Sequence, residues 1–125
     1  MVIDAILVTA QNCAIMATPP EKLLSSHTLL QMRPERIGRR LRVLREALEL
    51  KPSEIADSLG IERTYWSRFE NGKRALTDAH GALICERYGV TMDYLIRGEW
   101  AHLPLTLAAK MREVDRRISD QETIP

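Results

Sequence analysis

Arg63, Thr64, Ser67 and Arg68 follow one another at steps of one, three and one residues, which gathers them on the polar side of one helical stretch. Guanidinium groups donate in parallel to paired acceptors such as guanine O6 and N7, and hydroxyls donate or accept. Asn71, Lys73 and Arg74 follow directly, and Ser53 and Tyr65 bring further polar groups to the same region. The chemistry on offer is non-covalent recognition. No nucleophile, base and orienting group assemble into a set, and Gly72-Lys73 lacks the glycine-rich approach of a phosphate-binding loop. His27, His80 and His102 share no ligand spacing, and His80 and Cys85 are five residues apart, off a common helical face. Neither an enzyme, a metal site nor a bound cofactor is expected.

These side chains need a frame. Pro52 suits a first helical turn and opens an expected helix over residues 52–60, with Ile55, Ala56 and Leu59 on its apolar side. Gly60 ends it by taking the left-handed conformation. A second expected helix over residues 62–70 buries Trp66 and Phe69 and stops at Asn71-Gly72. Two helices that cross steeply require a very small residue at their contact, and Ala56 fills that place. Ile61, Trp66 and Phe69 anchor the second helix from beneath. This is the layout of a helix-turn-helix, whose second helix enters the DNA major groove.

The flanking sequence supplies more helices and no confident strand. Residues 34–50 read as a helix opened by Pro34, with Ile37, Leu41, Leu44 and Leu48 on one face. Arg36, Arg39, Arg40 and Arg42 occupy much of the remainder and read as a solvated face. Thr77-Asp78 starts a further helix ended by Gly89, and Thr91 caps a short one over residues 92–96, closed by Gly98. Past Leu103-Pro104, residues 105–118 form one more helix, with Leu107, Met111, Val114 and Ile118 sharing a face.

The formal charge of +1 conceals a division. Residues 1–32 carry one Lys against one Asp and one Glu. Residues 33–74 carry 11 Lys and Arg against 7 acids, and residues 75–125 carry 6 against 8. The basic excess coincides with the two-helix motif. Cys13 and Cys85 are far apart and form no metal or redox spacing, so a reduced, cytoplasmic setting is the simpler reading, with a bridge left open. No apolar run is long enough to span a membrane. The apolar residues 1–10 are interrupted by Asp4 and preceded by no basic residue, unlike a signal peptide. Residues 1–33 read as an irregular or weakly helical extension; translation starting at Met32 is the alternative.

With these elements in place, the segment from Ile37 to Trp100 resembles the Xre/Cro-type, lambda-repressor-like helix-turn-helix family. The residues that carry the resemblance are Glu54-Ile55-Ala56, Leu59-Gly60-Ile61, Phe69-Glu70-Asn71-Gly72-Lys73-Arg74 and the run from Tyr88 through Glu99. The resemblance implies an all-α, compact five-helix DNA-binding domain over residues 34–100, with extensions over 1–33 and 101–125, the latter containing a short helix. It implies base contacts from Arg63, Thr64, Arg68 and Ser67. It places Asn71, Lys73 and Arg74 on the phosphate backbone, joined by N–H groups near Ser53; Tyr65, read from its own chemistry, either touches a phosphate or covers the helix stem. It also matches Arg45 and Glu70 to an internal salt bridge, which makes Arg45 structural. Pro52 departs from a phosphate-contacting glutamine, Glu62 from a small hydroxyl cap, and Trp66 from an aliphatic core residue.

The expected function is a sequence-specific, DNA-binding transcriptional regulator acting as a repressor. A homodimer would read half-sites about 10 bp apart or a multiple of that. Tyr94, Leu95, Ile96, Leu105, Leu107 and Met111 are candidates for dimer or tail packing. The alternative is an antitoxin-like interaction module whose terminal extensions bind a protein partner and whose DNA binding is autoregulatory.

Overall fold

Pro34 stands in the first turn of a 14-residue helix, where its missing N–H is no loss. Ile37, Leu41 and Leu44 recur on the buried face of that helix, joined by Val43 and Ala47. In the computed structural model, residues 17–123 are described; the apolar residues 1–10 and Cys13 fall outside them. Within that span the regular structure is helical. Two short helices, α1 (Pro20–Leu23) and α2 (Ser26–Gln31), precede α3 (Pro34–Ala47). Then come α4 (Pro52–Leu59), α5 (Arg63–Glu70) and α6 (Asp78–Tyr88), a π-helical turn (Asp93–Arg97), and α7 (Leu105–Thr123). The described residues thus hold eight helical segments, five of them (α3 to the π turn) within residues 34–100.

Most helix limits follow local chemistry. Gly60, Gly89 and Gly98 end their elements with φ of 66°, 80° and 76°, a region that costs a residue with Cβ. Thr77 Oγ1 accepts from the His80 N–H at 3.1 Å, and Thr91 Oγ1 from the Tyr94 N–H at 3.0 Å. The expected fifth helix is present in place but wound as a π turn. Its tyrosine and leucine, Tyr94 and Leu95, are buried.

The core is one cluster. Leu41 and Leu44 of α3 meet Ile55 and Ala56 of α4, Trp66 and Phe69 of α5, Ile84 of α6 and Leu95 of the π turn. Burying each such aliphatic side chain contributes about 1.5–3 kcal/mol relative to exposure. Met111, Val114 and Ile118 of α7 belong to the same cluster, so the shared face read from the sequence packs against the rest of the fold. The helix itself runs to Thr123, five residues beyond its expected end.

The arginine face of α3 is the clearest departure from expectation. Arg40 is 7% exposed. Its Nη1 donates to the carbonyls of Gln31 and Leu95, both at 2.9 Å, and its Nη2 to Gln31 Oε1 at 2.5 Å. Arg39 pairs with Asp115, donates to Ser119 Oγ at 2.7 Å and reaches Glu122 at 3.4 Å. Arg117 of α7 returns a bond to Glu46 at 3.0 Å. What read as a solvated face is therefore the seat of α7 and the π turn. Arg36 stays exposed as expected.

Candidate nucleic-acid interface

The turn between α4 and α5 is closed by two backbone bonds. The Gly60 N–H donates to the Asp57 carbonyl at 3.2 Å and the Ile61 N–H to the Ala56 carbonyl at 2.9 Å, the pairing expected around a left-handed glycine. Ala56 is fully buried at this corner, the place the sequence assigned to a very small residue. Ile61 is 5% exposed and leads directly into α5.

Three features fix the inner side of α5. Trp66 and Phe69 are buried to 0% and 1% exposure. Arg45 of α3 grips Glu70 through Nη2 at 2.6 Å and Nε at 3.0 and 3.1 Å, the internal pair that the resemblance implied. The indole N–H of Trp66 donates to the same carboxylate, at 2.6 Å to Oε2. The tryptophan thus enters an aliphatic position with its one polar atom satisfied, four residues along the helix from its acceptor. Finally, α3 approaches the end of α5 through Gly38. A Cβ there would stand 2.5 Å from the Glu70 carbonyl oxygen and 2.6 Å from that of Phe69.

With its back held this way, α5 turns Arg63, Thr64, Ser67 and Arg68 to solvent, all four exposed. At 3.6 residues per turn they cover an arc of about 140°. Two of the remaining candidates touch side chains of α5. Asn71 Nδ2 donates to Ser67 Oγ at 3.3 Å, and the Arg74 guanidinium lies 4.5 Å over the Tyr65 ring. Lys73 is exposed beside them, and Ser53 is half-buried in the first turn of α4. In that turn the Glu54 carboxylate accepts from the Lys51 N–H at 2.8 Å. Glu62 makes no side-chain cap, consistent with its reading as a poor one, so the first N–H groups of α5 have no acceptor from it.

One contact was missed by sequence reasoning. Arg63 forms a two-point ion pair with Asp57 of α4, Nε to Oδ1 at 3.1 Å and Nη2 to Oδ2 at 2.7 Å. These hydrogen bonds hold the Asp57 carboxyl below the usual carboxylate range and raise the guanidinium further. The pair bridges the Gly60 turn, so helical periodicity gives no sign of it. The six-residue separation of opposite charges across a helix-ending glycine is the available signal.

Among the described residues, no group of three or more His, Cys, Asp or Glu is placed to hold a metal ion, and no helix is long and apolar enough to cross a membrane. The set can recognise a polar, anionic surface by hydrogen bonds and charge.

Residues 36–95 match a family model described as a helix-turn-helix domain. The match begins in α3 and ends within the π turn, so it takes in both helices of the motif and the scaffold behind them. That segment is similar to helix-turn-helix domains. Searches of curated proteins and of solved structures returned no match.

Proposed function

We propose that the chain is a sequence-specific DNA-binding transcriptional regulator of the Xre/Cro type, reading the major groove with α5. The observation that carries this reading is the division of α5 itself. Trp66, Phe69 and Glu70 are spent on the fold, while Arg63, Thr64, Ser67 and Arg68 stand together at the surface with donors suited to base edges. Tyr65, Asn71, Lys73 and Arg74, with the first-turn N–H of Ser53, are assigned to the flanking phosphates. Occupying a site excludes competing proteins, so we assign repression.

A single reading helix covers few base pairs, which favours a homodimer on a two-fold symmetric operator. Of the six apolar candidates for dimer or tail packing, Tyr94, Leu95 and Met111 are spent inside the core, whereas Leu105 is 89% exposed. Within the 105–118 stripe of the C-terminal extension, which with the N-terminal extension suggested a protein partner, Met111, Val114 and Ile118 are packed against the chain's own helices. That arrangement favours the regulator over the interaction module. Selection from random duplexes tests the proposal. A two-fold motif with half-sites about one helical turn apart, or a multiple, is expected; equal binding to every sequence would remove the claim.

A further inference from the structure

We propose that Asp57 is a specificity-determining positioning residue: it holds one edge of the Arg63 guanidinium so that the other edge is presented, already oriented, to a guanine. The inference rests on the major-groove reading above and adds a role for a residue outside the reading helix. Asp57 lies on α4, and its carboxylate and the Arg63 guanidinium are 57% and 67% exposed. Neither is held by burial. Their alignment comes from two parallel hydrogen bonds, a geometry that fixes the plane of the guanidinium as well as its position.

Arginine has five N–H donors in a rigid fork. The Asp57 pair uses one from Nε and one from Nη2. The outer edge, made by Nη1 and the second hydrogen of Nη2, remains open, and it is the right width for guanine O6 and N7. A free arginine stem loses rotamer freedom when it docks, and prior alignment removes part of that cost. The carboxylate also repels nearby phosphates, so it opposes binding that is not rewarded by a base contact. Both effects act on discrimination. Arg68 has no acidic partner among the described residues, which makes it an internal control.

The test uses the full chain. Random-duplex selection first locates the base pair at which Arg63→Ala loses its preference. Affinities for that site and for the site with this guanine replaced are then measured for wild type, Asp57→Asn, Arg63→Ala and the double variant. Asp57→Asn should lower discrimination at that base pair by about two- to fivefold, the scale of an exposed ion pair. It should leave the preference at the Arg68 position unchanged, strengthen binding to unrelated duplex, and have no further effect on discrimination once Arg63 is alanine. Unchanged discrimination, or equal loss at every position, overturns the positioning role. So does tighter specific binding with discrimination intact, which would make Asp57 a competitor of DNA for Arg63. Circular dichroism and melting should match wild type, because both groups are at the surface. A wild-type chain that selects no motif overturns the major-groove reading and this inference together; a wild-type motif that Asp57→Asn leaves untouched overturns the inference alone.

Discussion

On α3, Arg39, Arg40 and Arg45 turn inward; on α5 and just beyond it, Arg63, Arg68 and Arg74 stay at the surface. The first group carries its charge into the protein. Arg40 is surrounded by carbonyl oxygens of Gln31, Leu95 and Ile96, and Arg45 shares the Glu70 carboxylate with the Trp66 indole. The second group meets at most one partner each, Asp57 for Arg63 and the Tyr65 ring for Arg74. Basic density is similar in the two places. What separates scaffold from interface is how many acceptors each guanidinium already has, because a saturated cation has nothing left to offer a ligand.

That contrast can be broken most forcefully at Glu70. Glu70→Ala strands Arg45 and the Trp66 N–H together, and removing one member of such a pair should destabilise the chain by about 3 kcal/mol. Denaturant unfolding with unchanged slope checks it, and a loss well under 1 kcal/mol would mean that the cluster is not structural. Gly38→Ala comes next. Its Cβ would meet the Phe69 and Glu70 carbonyls, and the forced shift should cost about 2 kcal/mol by the same measurement.

On the reading side the effects should appear in binding. Arg68→Ala should leave stability within about 0.5 kcal/mol while reducing preference at one base pair roughly tenfold. A uniform loss across all sequences would move Arg68 to the phosphate group. Lys73→Ala should give the smallest change, a modest weakening of all sequences together and a salt dependence flatter by about one unit. A change in base preference there would blur the division.

The sequence made the scaffold legible where local chemistry decides. Prolines at 34 and 52, the Thr77 and Thr91 caps, and the glycines at 60, 89 and 98 marked limits that the structure follows to within a few residues. The Arg45–Glu70 pair was legible only through the resemblance. Less visible were contacts between distant segments. The carbonyls that hold Arg40 come from Leu95 and Ile96, and no periodicity in α3 announces them. The same applies to Asp115 and Ser119, which turn Arg39 from a surface charge into the mooring of α7. On the interface, the outward set was legible from spacing, whereas the Asp57 pairing depends on the angle between two helices. A side chain's partner across a turn is set by that angle, which a linear pattern does not carry.

The Gly38 contact gives α5 a mechanical character. Backbone touches backbone at Phe69 and Glu70, and just beyond the helix a Cβ on Gly72, which has φ 71°, would press within 2.8 Å of the Glu35 Cα. At the other end, Glu62 provides no cap, and the outer face is tied by the exposed Asp57–Arg63 pair. The helix is therefore clamped by backbone contact at its C-terminal end, and held at its start by the closed Gly60 turn, the buried Ile61 and a surface ion pair. Even a single methyl group added at Gly38 or Gly72 would therefore push on the seat of the whole helix, whereas loss of the surface pair would leave that seat intact.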